Sequence, residues 1–216
     1  MKILLQSIAL SIVGVLHALD ATTTRQIQEL VASNPFQLSI AEYTYLAELI
    51  EQCAPCNVLI FGLGNDSSLW HQINAQGKTV FIEHNPQWYE RILSQNPHLT
   101  SYFVRYHTKL RDWKILLDRD PIGLAIALPS EVMETKWDLI FVDAPEGNEE
   151  SKPGRMQSIY MASILGQKGH SHVLVHDCNR PAEQAYCSRF LNHGQLIRSI
   201  EKLRHYKLEA ESSLYP

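Results

Sequence analysis

Cysteine is scarce in this 216-residue chain. There are four, and the C-x-x-C stretch Cys53-Ala-Pro-Cys56 has no second pair to complete the spacing of a structural zinc site. That stretch reads either as a redox couple or as two half-buried cysteines leading into a strand. In a secreted chain a Cys56–Cys187 disulfide is a further option. A basic excess is missing too: 19 lysines and arginines face 23 acids, for a net charge of −4. That excludes a general nucleic-acid binder, which would be basic. No internal repeat or low-complexity segment is visible. No uncharged run reaches the roughly 20 apolar residues of a membrane span. The nearest, residues 3–19, lies between Lys2 and Asp20 and carries Gln6, Ser7, Ser11 and His17. Three readings of it stay open: a signal peptide cleaved near Ala18, a short anchor that would be the chain's membrane contact, or a packed helix with Ser7, Ser11, Gly14 and Ala18 on one face. Residues 21–216 then read as a single domain, with apolar content of 45% and charged content of 19% in the globular range.

What is present is organised around residues 57–85. Val58–Phe61 is an apolar run of the kind that forms a fully buried strand. It ends in Gly62-Leu63-Gly64, and Asn65 to Ser68 offer N-cap residues for a helix to about Ala75. A second apolar run, Thr79–Ile82, ends on Glu83, 19 residues after Gly64. Strand, glycine turn, helix, strand and acid form the front half of a nucleotide-binding unit. The glycines let backbone approach a ligand, and the acid can accept hydrogen bonds from ribose hydroxyls. Ser67 stands where a dinucleotide fingerprint has its third glycine, so NAD, and with it an NAD-dependent oxidoreductase, is disfavoured. S-adenosylmethionine (SAM) carries no pyrophosphate and needs less of that fingerprint. The cofactor-binding residues expected are Gly62, Gly64, Asn65, Ser67, Glu83 and Asp143.

Elsewhere the chain alternates. Thr24 reads as the cap of a helix over Arg25–Ala32, broken by Ser33-Asn34-Pro35. Ser39 and Glu42 have capping-box spacing ahead of a helix over Ile40–Glu51. Pro86 opens a helix to about Gln95. Tyr102–Tyr106 reads as a third strand, Lys109–Leu117 as a helix and Trp137–Val142 as a fourth strand. Residues 144–153, with prolines, glycine and charges, read as a flexible lid. Arg155–Leu165 is expected to be helical, His172–Val175 a strand and Pro181–Leu191 a helix, with two last strands near Leu196–Ile200 and His205–Leu208. The fold class is therefore α/β: a Rossmann-like, mostly parallel seven-stranded sheet with helices on both faces.

Ligands of such sheets lie at the carboxyl ends of the strands. Gly62–Gly64, Glu83, Asp143 and the stretch His176-Asp177-Cys178-Asn179-Arg180 all follow strand ends and should share one rim. Methyl transfer to a hydroxyl is an in-line displacement in which the protein aligns donor and acceptor and takes up a proton. The catalytic candidates are Asp143, His176 and Asp177. Alternatively Asp143 and Asp177 hold a divalent metal ion that lowers the hydroxyl pKa. Arg155 and Arg180 are the substrate-binding candidates, since a guanidinium matches a carboxylate in bidentate geometry.

Five stretches in order carry a family resemblance. They are Pro55-Cys56-Asn57 with Leu59-Ile60-Phe61-Gly62-Leu63-Gly64-Asn65-Asp66-Ser67-Ser68-Leu69-Trp70, Gly77 to Glu83, Trp137 to Pro145, Pro153-Gly154-Arg155-Met156, and Val175 to Arg180. From about Gln37 to Leu208 the chain resembles the plant polysaccharide-biosynthesis (DUF579) methyltransferase family, best known for glucuronoxylan 4-O-methyltransferase. The resemblance implies a SAM-dependent methyltransferase fold and transfer to O-4 of glucuronic acid on xylan, or to glucuronic acid on a related glycan. The partner would be a uronic-acid-bearing polysaccharide or oligosaccharide, and the setting the Golgi or secretory pathway. Some relatives act mainly as factors in xylan deposition, which leaves a non-catalytic biosynthesis factor as the alternative. Asn148, where the family commonly has an aromatic after the Asp-x-Pro-x-Gly glycine, departs from the pattern.

Overall fold

The computed structural model describes residues 19–210 apart from residue 36. All but the last residue of the 3–19 run lies outside them. Among the described residues no helix is long and apolar enough to cross a membrane.

In chain order the elements are α1 (Ala21–Ser33), α2 (Ile40–Cys53), β1 (Asn57–Phe61), α3 (Ser67–Ile73), β2 (Lys78–Glu83), α4 (Pro86–Gln95), β3 (Thr100–Phe103), α5 (Trp113–Leu117), α6 (Ser130–Glu134), β4 (Leu139–Val142), α7 (Met156–Gly166), β5 (His172–Val175), α8 (Pro181–Phe190), β6 (Gln195–Ile200) and β7 (Leu203–Lys207). The strands form one seven-stranded sheet in the order β3-β2-β1-β4-β5-β7-β6. The first five run parallel, and β7 is antiparallel to both β5 and β6.

The expected α/β sheet is thus present, and its central strands β1, β2, β4 and β5 are apolar because both faces are covered. Leu59, Phe61, Val80, Ile82, Ile140, Val142, Val173 and Val175 point to one core, packed with Met156, Ile159 and Tyr186 of α7 and α8. The alternate residues Val58, Ile60, Phe81, Leu139, Phe141 and Leu174 point to the other, packed with Ile27, Tyr43, Leu46, Ile50, Trp70 and Ile92 of α1 to α4. The period-two side-chain alternation of a strand divides the two cores.

Local signals place several ends. Ser39 and Glu42 form the expected capping box of α2. Asn85 caps α4, with Pro86 in its first turn. Other expectations shift. Asp20, not Thr24, caps α1, accepting from the backbone of Thr22 and Thr23. The third strand is Thr100–Phe103 rather than Tyr102–Tyr106, because its register is set by pairing with Val80–Glu83. The Cys56–Cys187 disulfide is not formed. Cys53 bonds to Cys56, while Cys187 lies beside Cys178 with both thiols free and buried. The sheet separates the proposed partners, since Cys56 packs in one core and Cys187 in the other.

The chain runs outward from β1 to β2 and β3, then returns to β4 on the other side of β1. That reversal opens a crevice at the carboxyl ends of β1 and β4.

Candidate active site

A cleft of about 660 Å³ fills that crevice, a volume suited to a cofactor-sized ligand. Its walls include Gly62, Gly64, Asn65, Glu83, Asp143, Arg155, His176, Asp177 and Arg180, so nearly all the residues singled out from sequence meet there. Ser67 is the exception: it is buried beneath the glycine turn, its hydroxyl accepting a hydrogen bond from the Gly64 backbone at 2.8 Å.

On the β1–β2 side, Gly62 has φ +129°, a conformation that favours glycine. The Glu83 carboxylate ties the two strand ends together. Its Oε2 accepts from the Leu63 backbone at 3.1 Å, and its Oε1 from His84 and Asn85 at 2.7 Å each. Oε1 is therefore committed to the protein, and Oε2 keeps acceptor capacity toward the cleft. Asp66, half-buried, has Tyr43 Oη 3.5 Å away and no cation within ion-pair distance among the described residues. Burial, with the nearby Asp143 charge, raises its pKa to about 6. Of the two tryptophans near the turn, Trp70 is fully buried, whereas Trp88 lines the cleft and its ring N–H donates to the Leu63 carbonyl.

On the β4–β5 side, charges alternate over short distances. Arg155, 6% exposed, places Nη2 2.9 Å from Asp143 Oδ1 and 2.8 Å from Asp177 Oδ2. Arg180 Nη1 stands 2.9 Å from the same Asp177 oxygen. His176 lies between acids, Nδ1 2.9 Å from Asp143 Oδ1 and Nε2 3.5 Å from Glu42 Oε2. Burial works against its charge, but Asp143 and Glu42 prevail and raise its pKa to about 9. Asp143 is held below its ordinary value: burial opposes its charge, and Arg155 and His176 outweigh that. Asp177 adopts φ +60°, a left-handed conformation uncommon outside glycine and costing about 1 kcal/mol. Its contacts to two arginines hold it there.

The proposed metal ligands are close together. One donor atom each from Asp143, His176 and Asp177 lies within 4.8 Å of the others. By type and spacing the set fits a divalent ion. Arg155 and the His176 proton already occupy this carboxylate cluster, so an ion would have to displace them.

Four residues with roles here escaped the sequence reading. Glu42 was legible only as a helix cap, yet its Oε1 also accepts from the Lys202 backbone at 2.9 Å while Oε2 faces His176. His84 joins Glu83 to the 144–153 stretch, 3.1 Å from Glu83 Oε1 and 2.8 Å from Glu146 Oε2. Burial alone would lower its pKa, but these two carboxylates raise it to about 9, and Glu146 falls to about 2. Asp66 and Lys202 complete the cleft wall. The 144–153 stretch is anchored rather than loose. Leu110 and Arg111 donate backbone hydrogen bonds to the carbonyls of Lys152 and Glu150, and Thr108 Oγ1 donates to that of Pro153. At Gly147 a Cβ would come within 2.9 Å of Glu183 Oε1 and 3.3 Å of Arg180 Nη1, so a larger residue would push those side-chain ends aside.

Strand order and cleft position define the class: an α/β, Rossmann-like fold of SAM-dependent methyltransferase type. The branched-chain polyamine synthase of Thermus thermophilus, solved with N4-aminopropylspermidine and 5′-methylthioadenosine, shares this fold. It matches at TM-score 0.52 and 14% identity, over 89% of this chain and 65% of its own. Within that class the chain belongs to the IRX15/IRX15L/GXM family, whose pattern matches residues 41–122 and 119–206. Glucuronoxylan 4-O-methyltransferase 2 of Arabidopsis thaliana is 35% identical over 198 residues, 83% of this chain and 68% of that protein. Arabinogalactan O-methyltransferase 2 of the same plant is 34% identical over 196 residues, 80% of this chain and 67% of that protein. The chain thus spans about two thirds of the length of these relatives.

Proposed function

We propose that this protein is a SAM-dependent O-methyltransferase acting on a hydroxyl of a glucuronic acid residue in a polysaccharide, at O-4 of glucuronoxylan or a related glycan. The observation that carries this is the meeting, in one cleft, of a nucleotide-type glycine turn and acid with a neutralised carboxylate cluster, in a chain whose relatives are named for that chemistry. Family membership selects methyl transfer over the hydride transfer of a dinucleotide enzyme.

The residues present fit the donor. Glu83 Oε2 has room for a ribose hydroxyl. The backbone at Gly62 and Gly64 lies open on the cleft wall. Asp66, a carboxylate with no cation within ion-pair distance among the described residues, suits a ligand that brings positive charge. SAM, when bound, supplies a methyl group activated by its sulfonium. The rest is done by side chains. Asp143 has Oδ1 engaged by Arg155 and His176, which leaves Oδ2 to accept a hydrogen bond from the acceptor hydroxyl, orient it and take up its proton as the methyl group is transferred. His176 holds a proton on each nitrogen at neutral pH, facing Asp143 and Glu42, so it positions Asp143 rather than acting as a base. Arg155 is buried against two acids and positions Asp143 and Asp177. Arg180, 30% exposed at the side chain and paired through one nitrogen, keeps donors for the acceptor carboxylate.

Methyl transfer from labelled SAM to glucuronic-acid-bearing oligosaccharides, compared with their neutral glucose counterparts, tests the reading. Label at O-4 of the uronic acid is expected. SAM binding without transfer to any uronosyl acceptor would refute it in favour of a non-catalytic biosynthesis factor.

A further inference from the structure

Arg155 and Arg180 do not exhaust the positive charge on the cleft wall. Lys202 also lines it, from the turn joining β6 to β7. Its backbone is fixed at both ends: the N–H donates to Glu42 Oε1 at 2.9 Å, and the carbonyl accepts from Cys178 N–H at 2.8 Å. Glu201 before it adopts φ +46°, so the turn is tightly defined. The side chain is exposed, and its ammonium makes no ion pair or hydrogen bond among the described residues. Arg155, by contrast, pairs with Asp143 and Asp177, and Arg180 with Asp177.

Position in the sheet says which ligand this ammonium meets. β7 runs antiparallel to β5, so its first residue stands at the rim where the parallel strands end. Going from β2 to β7 the sheet passes β1, β4 and β5. At about 4.8 Å per strand, Lys202 lies roughly 19 Å across the sheet from the Glu83 end. A donor whose ribose is held at Glu83 leaves the β5–β7 side to the acceptor.

We infer that Lys202 is a specificity-determining residue that, with Arg180, selects an acceptor carrying a carboxylate, its ammonium meeting the uronate from the side opposite the guanidinium. This rests on the uronosyl-acceptor reading and adds a residue to it. A fixed backbone with a free, flexible ammonium suits a carboxylate on a polysaccharide, whose orientation varies with its chain. Lysine acts there as a point charge, whereas Arg180 supplies the planar fork.

The test measures acceptor binding directly by calorimetry, in the presence of S-adenosylhomocysteine, using a glucuronic-acid-bearing xylo-oligosaccharide and its neutral methyl ester. Lys202→Met keeps the aliphatic stem and removes the charge. The expected result is about five- to tenfold weaker binding of the acid, little change for the ester, unchanged SAM affinity, and recovery in Lys202→Arg. An unchanged preference for acid over ester in Lys202→Met overturns the inference, as does loss of SAM affinity, which would place Lys202 at the donor. The two readings fail separately. If the wild-type protein binds the acid through Lys202 but transfers no methyl group, catalysis is refuted and the selectivity role stands. If it methylates acid and ester alike and Lys202→Met changes nothing, the selectivity role is refuted and methyl transfer stands.

Discussion

Asp143→Asn is the most informative single change, because Asp143 is the point through which Arg155 and His176 are joined. The substitution keeps the shape and removes the charge. His176 has its pKa raised from 6.5 to about 9, which corresponds to roughly 3 kcal/mol favouring the folded state when the imidazole is protonated. Asp143 stands at 2.9 Å and Glu42 at 3.5 Å, so about half of that or more depends on Asp143. Arg155 keeps Asp177 at 2.8 Å, which limits further loss. The expected destabilisation is therefore about 2–3 kcal/mol, within the range for breaking a buried pair. Its pH dependence follows from the direction of the shift. A raised folded pKa gives stability that is fully present below pH 6.5 and fades as pH rises through about 9. Urea unfolding of both proteins should show the largest difference near pH 6 and a small one above pH 9. NMR titration should move His176 in the variant down toward its ordinary range. Turnover should fall by about 100-fold or more, with SAM affinity little changed. A His176 that titrates near 6.5 in the wild type, or a stability difference constant from pH 6 to 9.5, would refute this account.

Further outcomes are expected around the cleft. Glu83→Ala should weaken SAM binding at least tenfold, since a charged hydrogen bond is worth about 1.5–3 kcal/mol; unchanged affinity by calorimetry would remove Glu83 from the donor site. Arg180→Lys should raise the acceptor KM about tenfold and spare the melting temperature. Arg155→Lys should instead lower stability, because its buried guanidinium joins two carboxylates; the opposite pattern would exchange their roles. The His84–Glu146 contact should hold the 144–153 stretch below pH 6.5 and release it as pH rises through about 9. Amide exchange in that stretch should accelerate over that interval in the wild type, whereas in Glu146→Gln it should be fast already near neutral pH.

Legibility in the sequence followed the range of the interactions. β5 and α4 were readable to within a residue because apolar runs, a proline and capping side chains act locally. β3 is an edge strand whose residues are half-buried or exposed, so it carries little hydrophobic pattern, and its bounds come from pairing with β2. α6 was missed because it is five residues long and held from outside, through buried Val132 and the Trp137 ring N–H on its carbonyl. The convergence of Glu83, Asp143, His176, Asp177 and Arg180 followed from one rule, that the ends of parallel strands share a rim. The rule could not assign Glu42, His84, Asp66 or Lys202, whose roles arise only from pairing across the fold. Nor could it tell that Arg155 is buried and Arg180 half-open.

The Glu42 carboxylate has a consequence for how the protein is made. It caps α2 near the start of the fold, yet holds the Lys202 backbone 160 residues later and faces His176. At roughly 5–20 residues per second of synthesis, on the order of 10 s or more separates the emergence of the two ends. For most of that interval the growing chain has its glycine turn and Glu83 but lacks the turn that fixes Glu42. A ribosome-bound chain that ends before residue 202 lacks the backbone N–H from which Glu42 Oε1 accepts, so that side of the cleft is completed only when the β6–β7 turn reaches the sheet.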